Sequence, residues 1–281
     1  MVVTLFDPWK SRLCTCSRKY SLNPYTGCSH SCIYCYITSY IPRGYEARLK
    51  KNIFKDLKRE LPNLNRKIPI TMSNSSDPYQ PIEREYKITR KVLKMLSEFK
   101  VQIITKSDLV TRDSDLLSQM KAAVAITVTT LDEELAGKLE PLAPSPHDRL
   151  KAMEHLISHG IPVSARIDPI IPYINENAEE LVKELSHIGV KHITSSTFKP
   201  RYDSWRRLRE TFPEETEKLH SLYFDKGERK QNSSYLPEGL RLKLMKGVRQ
   251  ACKKHSISFA TCREGLNINT AESCDGIHLI N

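Results

Sequence analysis

Three cysteines, Cys28, Cys32 and Cys35, fall within the ten residues GCSHSCIYCY, positions 27–36. Thiolates packed this closely hold metal. A structural zinc ion takes four ligands in a tetrahedral shell, so the set is one short, and His30 inside the segment or a distant cysteine would complete it. In a cubane iron–sulfur cluster each thiolate holds one iron, so three thiolates leave one iron open to a substrate or cofactor. The first reading makes the segment a structural clip; the second makes the deficit the chemistry.

The other five cysteines are scattered. Cys14 and Cys16 precede the segment, and Cys262 and Cys274 lie in TCREGLNINTAESCDG near the other end. Two such pairs would join the chain ends through one zinc ion or a second iron–sulfur cluster, because closing so long a loop is entropically costly without a clip. Buried free thiols are the alternative. Cys252, in the helical stretch GVRQACKKH, is expected in the core. The first residues, MVVTLFDPWKSRL, show no basic segment followed by an apolar run, and no stretch approaches the roughly 20 apolar residues that span a bilayer. A cytoplasmic protein without membrane association is expected, with reduced thiols that serve metal or catalysis rather than a disulfide framework.

Charge adds a partner class. Lysine and arginine number 44 against 33 acidic residues, a formal charge of +11, which suits a polyanion such as nucleic acid better than a neutral metabolite. In KPRYDSWRRLRE, positions 199–210, Arg201, Arg206, Arg207 and Arg209 stand beside Tyr202 and Trp205. Basic groups neutralise phosphates and aromatic faces stack on unpaired bases. An amphipathic surface helix, with Trp205 and Leu208 packed inward and the arginines in water, explains the same residues. A second basic run, Lys226, Arg229 and Lys230, is expected in a loop.

Elements that would position these groups are legible between about residues 20 and 200. Short runs rich in Val, Ile and Thr recur about every 30 residues, with amphipathic helical stretches between them, as βαβ units require. The runs are YSLNPY, IPITMSN (68–74), VQIITKS (101–107), AAVAITVTT (122–130), PVSARIDPII (162–171) and KHITSSTF (191–198). One helix is punctuated in full: Ser145 at the cap, Pro146 at its first position, Leu150, Met153, Leu156 and Ile157 on one face, Gly160 after its end. Six such units with right-handed crossovers form an open, partial barrel, whose ligands sit at the carboxyl ends of the strands. The three cysteines fall there, directly after the first strand. Domain boundaries are expected at 1–22 for an N-terminal extension, 23–200 for the barrel and 201–281 for a C-terminal region that covers the core.

Cys28, Cys32 and Cys35, with the aromatic Tyr34 before the third, match the CxxxCxxC loop of radical S-adenosylmethionine (SAM) enzymes. With LNPYTGCSHSCIYCY, SSDPYQPIE (75–83), TKSDLVTRDSDLL (105–117), TTLDEELAGKLEPLAPSPHDRL (129–150) and ARIDPIIP (165–172), residues 14 to 200 resemble the spore photoproduct lyase-like branch, often labelled DNA repair photolyase. The resemblance implies an α/β fold, a partial (β/α)6 TIM-like barrel, and a [4Fe–4S] cluster on the three cysteines whose open iron chelates SAM. An electron from the cluster, delivered by a donor such as a flavodoxin or ferredoxin, cleaves SAM to methionine and a 5′-deoxyadenosyl radical. By motif position, Lys106 resembles the lysine that contacts the SAM carboxylate, Ser76 a serine near its amino group or ribose, and Thr129 a hydroxyl that contacts the cofactor. Arg166 places an obligatory charge in an apolar strand and needs an anionic partner, either SAM or a carboxylate such as Glu140 or Asp168. Glu140 and Arg149 are also readable as a buried ion pair.

The sequence departs from that branch at Asn74. Spore photoproduct lyase has a hydrogen-donating cysteine there, two residues before the serine, and an amide N–H bond is too strong to replace a thiol. Another donor, a tyrosine or a C-terminal cysteine, would be needed, and the sequence names no catalytic residue. The expectation is therefore a radical SAM enzyme that abstracts hydrogen from a substrate, with nucleic acid favoured over protein or a small metabolite. A zinc-stabilised nucleic-acid-binding protein without catalysis is the reading from another class.

Overall fold

A computed structural model describes residues 1–6, 11, 13–72, 75–230 and 233–280. Its centre is an eight-stranded sheet whose strands follow one another in chain order. They are β1 (Val3–Leu5), β2 (Tyr20–Leu22), β3 (Ile70–Met72), β4 (Val101–Thr105), β5 (Ala122–Thr127), β6 (Val163–Ile170), β7 (His192–Thr197) and β8 (Ser258–Thr261). From β2 to β8 every pairing is parallel, and only β1 runs antiparallel, against β2. The six strands expected from sequence are β2 to β7, each shorter than its apolar run. Strand β2 itself falls within the expected N-terminal extension, 1–22, and two further strands lie outside the expected barrel limits: β1 in that extension and β8, from the short run SFAT, in the C-terminal region. That region does more than cover the core, since it completes the sheet.

The crossovers carry α1 (Ile53–Glu60), α2 (Ile88–Met95), α3 (Glu133–Leu139), α4 (Pro146–Ser158) and α5 (Glu179–Ile188); beyond β7 come α6 (Tyr202–Thr211), α7 (Pro213–Phe224) and α8 (Glu238–Lys254). Helix α4 starts as expected: Ser145 Oγ accepts the Asp148 N–H at 3.1 Å and Pro146 takes the first position, where no N–H is needed. Successive strand residues face opposite sides of a sheet. In β6, Val163, Ala165 and Ile167 join the apolar cluster under the helices, while Ser164, Arg166 and Asp168 face inward. The main core thus lies between sheet and helices, with Leu22, Met72, Ile103, Val124 and Ile193 meeting Leu57, Val92, Met153, Leu185 and Val248.

The inner face is polar, and the C-terminal tail satisfies it. Gln102 Nε2 donates to the Asp275 carbonyl, Thr194 Oγ1 to the Cys274 carbonyl at 2.9 Å, and Lys100 Nζ to that of Ile280 at 3.1 Å. Gly276 makes this approach possible: its φ is +80°, and an added Cβ would stand 2.9 Å from Ser164 Oγ. The tail so forms the floor of the half-barrel. Cys252 is fully buried in the core, as expected for its helix. Of the run Lys226, Arg229 and Lys230, expected as a loop, Lys226 lies in the turn after α7, whereas Arg229 and Lys230 lie on a ribbon: Glu228–Lys230 pairs antiparallel with Ser233–Tyr235, and Lys230 meets Glu228 at 2.6 Å. No helix among the described residues is long and apolar enough to cross a membrane.

Candidate active site

The segment between β2 and α1 carries Cys28, Cys32 and Cys35 to the carboxyl end of the sheet. Four contacts fix its path. The Cys28 N–H donates to the Gly44 carbonyl at 2.9 Å, and the Cys35 N–H to that of Cys32 at 3.0 Å. The fully buried Gln80 takes the Ser29 N–H on its oxygen at 2.9 Å and gives its amide to the Gly27 carbonyl at 3.1 Å. Gly27 itself has φ +76°, and a Cβ there would run into the Glu46 carbonyl, so glycine is required. Ile33, between the second and third cysteines, is buried against Leu139, Phe198, Leu208 and Leu219, a second apolar cluster that ties the loop to α6 and α7.

Arg207 completes the support. Its Nε donates to the Ile33 carbonyl at 3.0 Å, Nη2 to the Cys35 carbonyl at 2.7 Å, and Nη1 to Thr38 Oγ1 at 3.1 Å. One planar guanidinium reading two loop carbonyls and a hydroxyl is a rigid clamp. Sequence reasoning placed Arg207 in a phosphate-binding set; the structure turns it inward. Trp205 is half-buried and packs on Phe224 at 4.9 Å and Tyr223 at 5.7 Å between ring centroids. Of the rest of that set, Tyr202 is 85% exposed, Arg206 and Arg209 are exposed, and Arg201 lines the cavity described next.

The cysteines open on a cavity of about 470 Å³ at the strand ends, the size of a small-molecule site. Tyr34, Lys106 and Arg166 line it with them; Ser76 and Thr129 do not, being buried behind the lining where Ser75 faces the space instead. The Thr129 hydroxyl is buried with no hydrogen-bond partner in the protein. Asn74, the expected point of departure from the spore photoproduct lyase pattern, lies outside the described residues.

Beneath the loop, Glu140 is the hub of a buried network. It accepts from the Tyr34 hydroxyl, pairs with Arg149, and lies 4.0 Å from Lys106 Nζ. The buried pair of Glu140 and Arg149 read from sequence is therefore present, with Tyr34 and Lys106 attached. Burial alone would raise the Glu140 carboxyl, but Arg149, Lys106 and Tyr34 outweigh it and hold it below the usual range. Burial would likewise strip Lys106 of its proton; Cys32 and Glu140 reverse that and keep it charged. Its ammonium sits 5.5 Å over the Tyr34 ring. Arg166 takes Asp168 as its carboxylate, at 2.5 Å, and Asp168 also accepts from Ser196 Oγ at 2.6 Å.

Asp77, which sequence reasoning passed over, belongs here together with His30. Asp77 accepts from Thr105 Oγ1 and from the Lys106 N–H, both at 2.7 Å, and stands 3.4 Å from His30 Nε2. Both lie inside quoted stretches, GCSHSCIYCY and SSDPYQPIE, and a buried aspartate after an apolar strand was the available signal. His30, a candidate fourth ligand, thus faces a carboxylate. Burial pushes the Cys28 thiol up to about 12, with Asp77 adding to it, and burial pushes Cys32 and Cys35 up as well. These thiols ionise only when a cation supplies the opposing charge. Among the described residues, no group of three or more His, Cys, Asp or Glu side chains stands, as placed, so that it could hold a metal ion.

A family model described as the radical SAM superfamily matches residues 22–188, from the end of β2 to the end of α5. The chain belongs to the radical SAM superfamily. An uncharacterized protein of Methanocaldococcus jannaschii is 38% identical over 160 residues, 55% of this chain and 61% of that one. The radical SAM Nα-GlyT isomerase of Pseudomonas phage M6 is 25% identical over 257 residues, 86% of this chain and 53% of its own. The chain spans less than two thirds of the length of these curated relatives. Among solved structures, a spore photoproduct lyase variant with dinucleoside spore photoproduct superposes with a TM-score of 0.71 at 17% identity, covering 92% of this chain and 80% of that one. Streptococcus suis SuiB bound to S-adenosylmethionine gives 0.57 at 16% identity, with 86% and 49% covered. The radical SAM family implies a [4Fe–4S] cluster and SAM, and the three-thiol loop fits the former: soft sulfur donors, charge-deficient, opening on a ligand-sized space.

Proposed function

We propose that this radical SAM chain holds a [4Fe–4S] cluster on Cys28, Cys32 and Cys35, binds SAM in the adjoining cavity, and acts on a nucleic acid. The observation that carries the reading is the opening of the loop onto the cavity beside a charged Lys106. When bound, the cluster and SAM supply a 5′-deoxyadenosyl radical after one-electron reduction.

The chain's own residues do the positioning. Arg207 and Ile33 hold the loop, Lys106 offers three ammonium donors to a carboxylate, and Arg166, anchored by Asp168, closes the opposite wall. Tyr34 places an apolar ring between loop and lysine, and the Glu140–Arg149 pair fixes that ring's hydroxyl. For the substrate, the net charge of +11 and the rim are the support. Arg201 lines the cavity, and the exposed Tyr202, Arg206 and Arg209 continue from it along α6. The spore photoproduct lyase of the same fold carries a dinucleoside ligand.

Anaerobic reconstitution tests the chemistry. A broad absorption near ~400 nm from sulfur-to-iron charge transfer, and 5′-deoxyadenosine formed with SAM and dithionite, are expected. A colourless protein with zinc in the three-cysteine loop overturns it. For the substrate, binding to tRNA or single-stranded DNA is expected to weaken linearly in log–log terms as salt rises; no binding at low salt moves the substrate to protein or metabolite.

A further inference from the structure

The four cysteines outside the loop and the core converge. Cys16 Sγ lies 3.2 Å from Cys274 Sγ, across 258 residues of chain. Cys14 interacts with Cys16, and Cys262, the residue after β8, lies within electrostatic range of all three. None is disulfide-bonded. Cys16, Cys262 and Cys274 line the same cavity as Cys28, Cys32 and Cys35.

Their surroundings are cationic but already neutralised. Lys19, buried to 2% exposure, is paired with Asp275, and Arg166 with Asp168.

We propose that Cys14, Cys16, Cys262 and Cys274 bind a zinc ion that ties the N-terminal segment to the C-terminal tail. The spacing selects one ion over a cluster. Four sulfurs at about 2.3 Å from zinc stand roughly 3.8 Å apart, close to the approach of Cys16 and Cys274, whereas a cubane sets each sulfur on a different iron and farther from the others. The ligand order, two before the barrel and two after it, closes a loop of 258 residues between Cys16 and Cys274, and a clip on so long a loop offsets a large closure entropy.

Metal content per chain decides it, measured on anaerobically purified wild type, a Cys16→Ser/Cys274→Ser variant and a Cys28→Ser/Cys32→Ser/Cys35→Ser variant. Expected are about one zinc and about four irons in wild type, loss of zinc alone in the double variant, and loss of iron alone in the triple. Should the double variant not fold, cobalt substitution into the triple variant is expected to give the visible bands of a tetrahedral thiolate site. Iron retained in the triple variant, zinc lost from it, or a Cys16–Cys274 disulfide in the wild type overturns the proposal. The triple variant lacks the catalytic cluster, so its zinc content stands apart from the radical SAM reading.

Discussion

Members of both groups of thiols line one cavity, and the two groups are built in opposite ways. Cys28, Cys32 and Cys35 come from eight consecutive positions, and the fold's task is to hold a short loop still. Cys14, Cys16, Cys262 and Cys274 come from the two ends of the chain, and the fold's task is to bring distant segments together. A local site needs a few hydrogen bonds and one glycine; a site made of chain ends is inseparable from the stability of the fold. Substitutions around the two groups should therefore be felt in different measurements.

The largest effect is expected at Lys19. Replacing it in Lys19→Met leaves Asp275 buried and unpaired, a loss of about 3–5 kcal/mol, read as a lower denaturant midpoint, with the iron of the loop cluster still bound at the destabilised protein's folding conditions. Unchanged stability would mean that the chain ends do not bear on the fold. Arg207→Ala should act the other way. With two loop carbonyls and Thr38 released, affinity for the cluster is expected to fall about 10–100-fold, measured as iron loss to a chelator, while the unfolding midpoint shifts little. Arg207→Lys restores charge without the planar fork and should recover only part.

The smallest effect belongs to a surface pair remote from both. Arg90 grips Asp115 with two bonds, at 2.8 and 2.7 Å, and lowers its carboxyl from 3.8 to about 2. The folded state thus gains stability above the ordinary carboxylate range and loses it as pH falls toward 2. The Asp115 side chain is 58% exposed, so screening leaves a few tenths of a kcal/mol at most. In Asp115→Asn that acid-range slope should flatten, and pH-dependent unfolding of wild type and variant in parallel measures it. An effect as large as that of Lys19 would show that burial is not what separates the regions.

The same contrast explains what could be read from the amino acids alone. The cysteine loop and the six strands β2 to β7 are local patterns, in spacing and in apolar runs, and spacing survives without coordinates. The start of α4 was legible because Ser145 and Pro146 do their work within four residues. Arg207 was not: it stood in a basic run with Arg206 and Arg209, and only the seating of α6 against Ile33 turns one of three similar arginines inward. The Lys19–Asp275 pair, 256 residues apart, and the tail's hydrogen bonds to Gln102 and Thr194 are equally invisible to periodicity. Asp77 and Gln80 lay inside a quoted stretch, yet their burial follows from the turn after β3, which composition does not describe. The four remaining cysteines were suggested as a group, and their convergence depends on β8 joining the sheet.

The Arg207 clamp also has a meaning in time. The guanidinium that steadies the loop lies 174 residues downstream of the Ile33 carbonyl it binds. At the usual pace of synthesis it follows that loop off the ribosome by roughly 9–35 s. During that interval the three cysteines have their sequence but not their support. The loop is thus steadied only once α6 has been made, rather than as it emerges.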